Sequence, residues 1–152
     1  MSDKKPTTRL DDVNYGGLEN SSGFLIRIAQ VHIFERFYEA LGKYRLQLGS
    51  ISVLILIESN PGIRHGVLAR ALKIKLAHMT KMIKAFEAKG FVTRSNPESD
   101  RRSVELTLTQ SGREFVEEMR PLMFAHDASR PDGLNNKERR QLNQLLRKFV
   151  KI

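Results

Sequence analysis

Ten cationic side chains fall between Gly62 and Arg102: Arg64, Arg70, Lys73, Lys75, Lys81, Lys84, Lys89, Arg94, Arg101 and Arg102. Only Glu87, Glu98 and Asp100 oppose them. This 41-residue window carries +7 of the formal +9 of the whole chain, leaving +2 for the other 111 residues. Guanidinium and ammonium groups concentrated in this way bind phosphate oxygens, so a nucleic-acid backbone is the natural partner. A merely solvated basic face would use the same residue types, and the pattern of elements has to decide.

Other chemistries find little support. The chain has no cysteine, which excludes disulfides, thiolate metal sites and thiol nucleophiles. No Gly-rich phosphate loop, nucleophile–base set or paired carboxylates appears, so an enzyme is not expected. His32, His65, His78 and His126 lack metal-ligand spacing, and His32 with Glu35 or His126 with Asp127 makes only an isolated pair. No metal or resident cofactor is expected.

Composition sets the frame for these residues. Of 152 residues, 40% are hydrophobic and 28% charged, the balance of an ordinary globular domain. The longest apolar run, Ile51 to Ile57, is interrupted by Ser52 and falls far short of the roughly 18 residues of a membrane span. The polar first ten residues do not read as a secretory signal. A soluble, cytoplasmic protein with no membrane partner is the expectation.

The elements that must position the cations follow from periodicity. Residues 1–20 are polar and aperiodic, a flexible N-terminal arm. Ser21 or Ser22 caps a helix running to about Gly42. Its apolar residues (Phe24, Leu25, Ile28, Val31, Phe34, Phe37, Tyr38 and Leu41, with Ile26, Ile33 and Ala40 on other faces) form too wide a stripe for one small core, and a second subunit would cover the excess. Leu46 to Glu58 is open between a β-rich buried strand and a helix capped by Ser50 and ending before Asn60-Pro61-Gly62. Ile63 to Leu72 has the spacing of a short helix. After a break at Lys73-Ile74-Lys75, the residues Leu76, Met79, Ile83 and Phe86 mark the core face of a second helix, stopped at Gly90. Two short helices, the second rich in cations, read as helix-turn-helix. The period then changes. Phe91 to Ser95 is strand-like, Asn96 to Asp100 is turn chemistry, and Val104, Leu106 and Leu108 alternate with polar residues. A hairpin in this place makes a winged helix. Thr109 caps a third long helix with Phe115, Val116, Met119, Leu122, Met123 and His126 along it, which Pro121 should kink or split. Asn135 and Glu138 form a capping box for a last helix carrying Leu142, Leu145, Leu146, Phe149 and Val150. The two terminal helices are expected to pack together.

Strings within this frame resemble one family. Leu68-Ala69-Arg70-Ala71-Leu72-Lys73-Ile74, then Phe86 to Arg94, then Asp100-Arg101-Arg102, then Leu106-Thr107-Leu108-Thr109-Gln110-Ser111-Gly112 look, in this order and at these gaps, like the MarR (multiple antibiotic resistance regulator) family. The resemblance covers roughly residues 22 to 150 and favours a helix at 46–58. It implies a homodimeric winged-helix DNA-binding regulator, often a repressor released by a small ligand. The resulting fold is mainly α with a small β-hairpin wing: a winged helix-turn-helix over 46–112, flanked by helical dimerisation regions at 21–45 and 115–152. Two residues depart from the family pattern. Lys75 stands where the second short helix commonly starts with Ser, Thr or Asn, and Arg64 likewise replaces a capping residue. Each loses a cap of about 1 kcal/mol, and a lysine there opposes the helix dipole unless a phosphate is nearby.

Residue roles follow from the helical faces. Opposite the core, Ala77, His78, Lys81 and Lys84 are presented, with Thr80 at the edge. Ala77, His78, Thr80 and Lys81 are the expected base-edge contacts. Arg64, Lys75, Lys84 and Arg101 are expected on phosphates, which position but do not specify. The spacing of Asp100 and Arg102 resembles the family pattern in which the acid holds an arginine extended into the minor groove. The resemblance also implies an effector cleft, to which Phe34, Phe37, Tyr38 and Met123 could contribute if they are not simply core. A twofold dimer would set two helices in successive major grooves of an inverted repeat. The alternative is an architectural or nonspecific nucleic-acid binder, which the charge alone would serve.

Overall fold

The computed structural model describes residues 9–41, 44, 49–96, 103–128 and 133–152. Two compact units divide the chain, Met1–Glu39 and Ala40–Ile152. In the first, short 3-10 turns at Leu10–Asp12 and Leu18–Asn20 precede helix α1, Ser22–Leu41. Ser21 is the cap, its Oγ accepting from the Phe24 amide at 3.4 Å. Leu25, Ile26, Ile28, Val31, Ile33 and Tyr38 are each between 41% and 50% exposed. The wide apolar stripe is thus largely uncovered.

The second unit holds α2 (Ser50–Ser59), β1 (Ile63–Arg64), α3 (His65–Ala71), α4 (Leu76–Ala88), β2 (Val92–Ser95), β3 (Glu105–Leu108), α5 (Gln110–Ala128) and α6 (Asn136–Val150). Its core joins Val53, Leu54 and Ile57 of α2 to Leu68 and Ala69 of α3, Met79, Met82, Ile83 and Phe86 of α4, Val92, Leu106 and Leu108 of the sheet, and Val116 of α5. Segment 50–59 is helical despite its β-branched residues, because a 3.6-residue period buries Val53, Leu54 and Ile57 together, and burial outweighs local propensity. The proposed Ser50 cap is corrected. Gly49, at φ 81°, occupies the N-cap, and Ser50 is a buried first-turn residue.

The wing strands belong to a three-stranded antiparallel sheet of order β1-β3-β2. The segment from Ile63 is therefore not helical from its first residue: Ile63 pairs with Leu106 and Arg64 with Glu105 before α3 begins. The wing register sets Val92 opposite Leu108 and Arg94 opposite Leu106. α5 is not split at Pro121 but runs through it. Val116 and Met119 anchor the helix on one side, while Pro121 lies exposed. The carbonyl of Glu117 that the ring frees belongs to an exposed residue, open to solvent rather than sealed in the core. α6 carries the expected capping box, the Asn135 side chain accepting from Glu138 N and Glu138 Oε2 accepting from Asn135 N at 2.7 Å. It buries no residue. No helix among the described residues is long and apolar enough to cross a membrane.

Candidate nucleic-acid interface

α4 is held by one face and open on the other. Met79 and Ile83 are fully buried, with Met82 and Phe86 almost so. Ala77, His78, Lys81 and Lys84 are exposed on the remaining circumference. Met82 extends the core face beyond the sequence reading. Leu76 corrects it: this residue is 56% exposed. It is the first residue of α4, so no preceding turn packs beside it and the core period runs out there.

The turn before α4 fixes how the helix is presented. Leu72 N donates to Leu68 O at 3.1 Å and Ile74 N to Ala69 O at 3.0 Å. Between them Lys73 takes a left-handed conformation, φ 55°, which costs about 1–2 kcal/mol for a residue with a Cβ and lets the chain reverse without a glycine. Lys75 is the N-cap with extended backbone and no side-chain cap bond. Arg64 plays the same part for α3. Both departures from usual capping are therefore real features of the fold, and Lys75 is exposed. At the other end Gly90, φ 71°, closes α4.

Thr80 is engaged within the protein. Its Oγ1 donates to the Leu76 carbonyl at 2.9 Å and lies 3.5 Å from His65 Nε2. With its hydrogen given to Leu76, the hydroxyl can only accept from the ring, so this contact requires the Nε2–H tautomer. Burial, and then the Arg94 cation, hold the His65 imidazole below its usual 6.5. Arg94 itself forms a 2.6 Å ion pair with Glu87, tying β2 to α4. The Glu87–Arg94 and His65–Thr80 contacts escaped the sequence reading. Glu87 offered a signal, since it is the one acid among the cations from Arg64 to Arg94.

Asp100, Arg101 and Arg102 lie outside the described residues. The last described contact toward the wing tip is Asn96 Nδ2 donating to Ser103 O at 3.1 Å. Of the residues proposed for an effector cleft, Phe34 and Phe37 are half-buried and Tyr38 is exposed on α1, with Phe37 and Tyr38 rings edge-to-face at 5.7 Å. Met123 belongs to the second unit, where it packs against Ile51 and Met119. A cavity of about 530 Å³ in the first unit is lined by Tyr15, Glu19, Phe24, Leu25, Ile28, Ala29 and His32. No group of three His, Asp or Glu among the described residues could hold a metal ion.

Known proteins share this arrangement. The model of the MarR family matches residues 46–104. The HTH-type transcriptional regulator BilQ of Clostridium symbiosum is 30% identical over 111 residues, covering 73% of this chain and 77% of BilQ. The transcriptional repressor CouR, solved bound to a 23-mer DNA duplex, superposes with a TM-score of 0.80 at 27% identity over 93% of this chain and 99% of CouR. BpsR of Bordetella bronchiseptica, whose DNA binding is regulated by 6-hydroxynicotinic acid, gives 0.78 at 26% identity over 97% and 99%. Core, turn, basic helix and relatives agree, and the chain belongs to the MarR family of transcriptional regulators.

Proposed function

We propose that two copies of this protein bind an inverted-repeat operator and regulate transcription, as a repressor that a small organic ligand releases. The observation that carries the reading is α4, whose one face is core and whose other presents Ala77, His78, Lys81 and Lys84 to solvent. Such a helix fits the major groove. Ala77, His78 and Lys81 meet base edges, Lys81 donating to guanine O6 and N7. Thr80 sits at the edge of the same surface, with its methyl rather than its committed hydroxyl free for a base. Arg64, Lys75, Lys84 and Arg101 take phosphates. Arg102 enters the minor groove, oriented by Asp100.

Dimerisation is supported by the uncovered apolar faces of α1 and α6. In α6, Leu145 is 57% and Phe149 68% exposed, and a lone chain would leave them in water. The ligand reading is supported by BpsR with 6-hydroxynicotinic acid and by CouR, also solved with p-coumaroyl-CoA. An aromatic acid or its thioester is the class to screen first, with Phe34, Phe37 and Tyr38 of α1 as the residues to vary. A bacterial regulator of this kind works in the cytoplasm, where its operator is. Selection from random duplex DNA tests the operator reading, and loss of the selected complex on adding the screened acids tests the ligand reading. Enrichment of an inverted repeat is expected, whereas uniform binding of all sequences would favour an architectural role.

A further inference from the structure

The exposed leucine at the start of α4 carries an inference that rests on the operator reading above. Leu76 is 56% exposed and is followed by exposed Ala77. Together they make a short apolar step at the end of the helix that enters the groove first. Lysines flank it in the chain: Lys73 and Lys75 precede it and are exposed, and the sequence holds no acid from Arg64 to Ala85. Lysine is depleted in protein interfaces relative to the rest of the surface, so an apolar step next to exposed lysines is a poor seat for a protein partner. It suits a duplex, whose phosphates meet the lysines while its base edges meet what lies between them. On the major-groove floor of unmodified DNA the one apolar group is the C5-methyl of thymine.

We infer that Leu76 is a specificity-determining residue, seated on a thymine methyl in each half-site of the operator. Lys75, on a phosphate, cannot make this choice, because phosphates are the same at every base pair, and Lys81 is a donor suited to guanine O6 and N7 rather than to a methyl group. The Thr80 hydroxyl cannot make it either, since its hydrogen is given to the Leu76 carbonyl.

Deoxyuridine isolates the contact, since it differs from thymidine by that methyl alone. Each thymine of the selected operator is replaced in turn, symmetrically in both half-sites, and affinity is measured for the wild type, Leu76→Ala and Ala77→Gly. One thymine position should lose affinity in the wild type by about fourfold per half-site, the worth of one buried methyl. Leu76→Ala should bind the thymine operator more weakly and no longer distinguish it from the deoxyuridine form at that position. Because the side chain is exposed, its removal leaves the core intact, and an unchanged melting temperature checks this. Indifference of the wild type to every replacement overturns the inference, as does a thymine preference that survives Leu76→Ala or disappears only in Ala77→Gly. Those outcomes leave the regulator reading standing. Failure of selection to enrich any operator removes both.

Discussion

Gly112 lies directly against the backbone of Phe91: a Cβ added to it would sit 2.1 Å from the Phe91 carbonyl oxygen. The approach closes a junction between the end of α4 and the start of α5. Phe91 O accepts from Thr109 N at 3.0 Å, Gly90 O accepts from Ser111 Oγ at 2.8 Å, and Thr109 Oγ1 caps α5 through Gly112 N at 3.0 Å. The Phe91 ring stacks on Phe115 at 4.6 Å. Gly112→Ala must push these backbones apart, at a cost of about 1–3 kcal/mol. Urea denaturation at matched protein concentration should record that loss, and stability equal to wild type would contradict the geometry.

The cations of α4 should separate by role. Lys81→Ala is expected to lose about 1–3 kcal/mol more on the selected operator than on a scrambled duplex. Lys75→Ala is expected to weaken both alike and reduce the salt slope by about one unit. Equal losses on the two duplexes for Lys81 would assign it to phosphate.

At the wing, Arg102→Ala should reduce affinity most on operators with A·T pairs at the minor-groove position, where a narrow groove attracts an inserted guanidinium. Arg101→Ala should reduce the salt slope by about one unit without that sequence dependence. Exchange of these two behaviours would reverse the assignment.

Leu145→Glu places a charge in the exposed apolar face of α6. The residue is 57% exposed in the single chain, so the fold of each chain should survive while the pair dissociates. Light scattering should give half the wild-type mass at micromolar concentration, with operator affinity falling steeply. A variant that stays dimeric places the interface elsewhere.

His65 predicts a pH dependence of stability. The fold disfavours its charged form, through burial and then Arg94. As pH falls through 6.5 the unfolded chain takes the proton first, so the folded state loses stability over a window that opens there and ends below the folded pKa. His65→Gln lacks this component. The stability difference between wild type and variant should therefore shift against the wild type from pH 7.5 to pH 5, and a difference constant over that range would exclude the mechanism.

Much of this architecture is written locally. Asn135 and Glu138 name the start of α6 by their own chemistry, and Met79, Ile83 and Phe86 name the core face of α4 by their period. What escapes is decided by distant neighbours. β1 is two residues long, too short for any period, and exists because Glu105 and Leu106, some forty residues away, pair with it. Leu76 continues the helical period yet lies beyond the reach of the core. Segment 50–59 is open between strand and helix by its own residues, and only the family resemblance tips it to the helix that Leu68, Ile83 and Val116 help to bury. In the site, exposed cations are legible because they need no partner to be placed, whereas the Thr80 hydroxyl is diverted by its own helix.

The reading core closes on itself. Leu54, Leu68, Ile83, Leu106 and Val116 are wholly shielded from water, and α6 adds nothing to that interior. The interior that seats α4 and the wing strands therefore owes nothing to the exposed face of α6, and a change confined to that face leaves the presentation of the basic helix as it is.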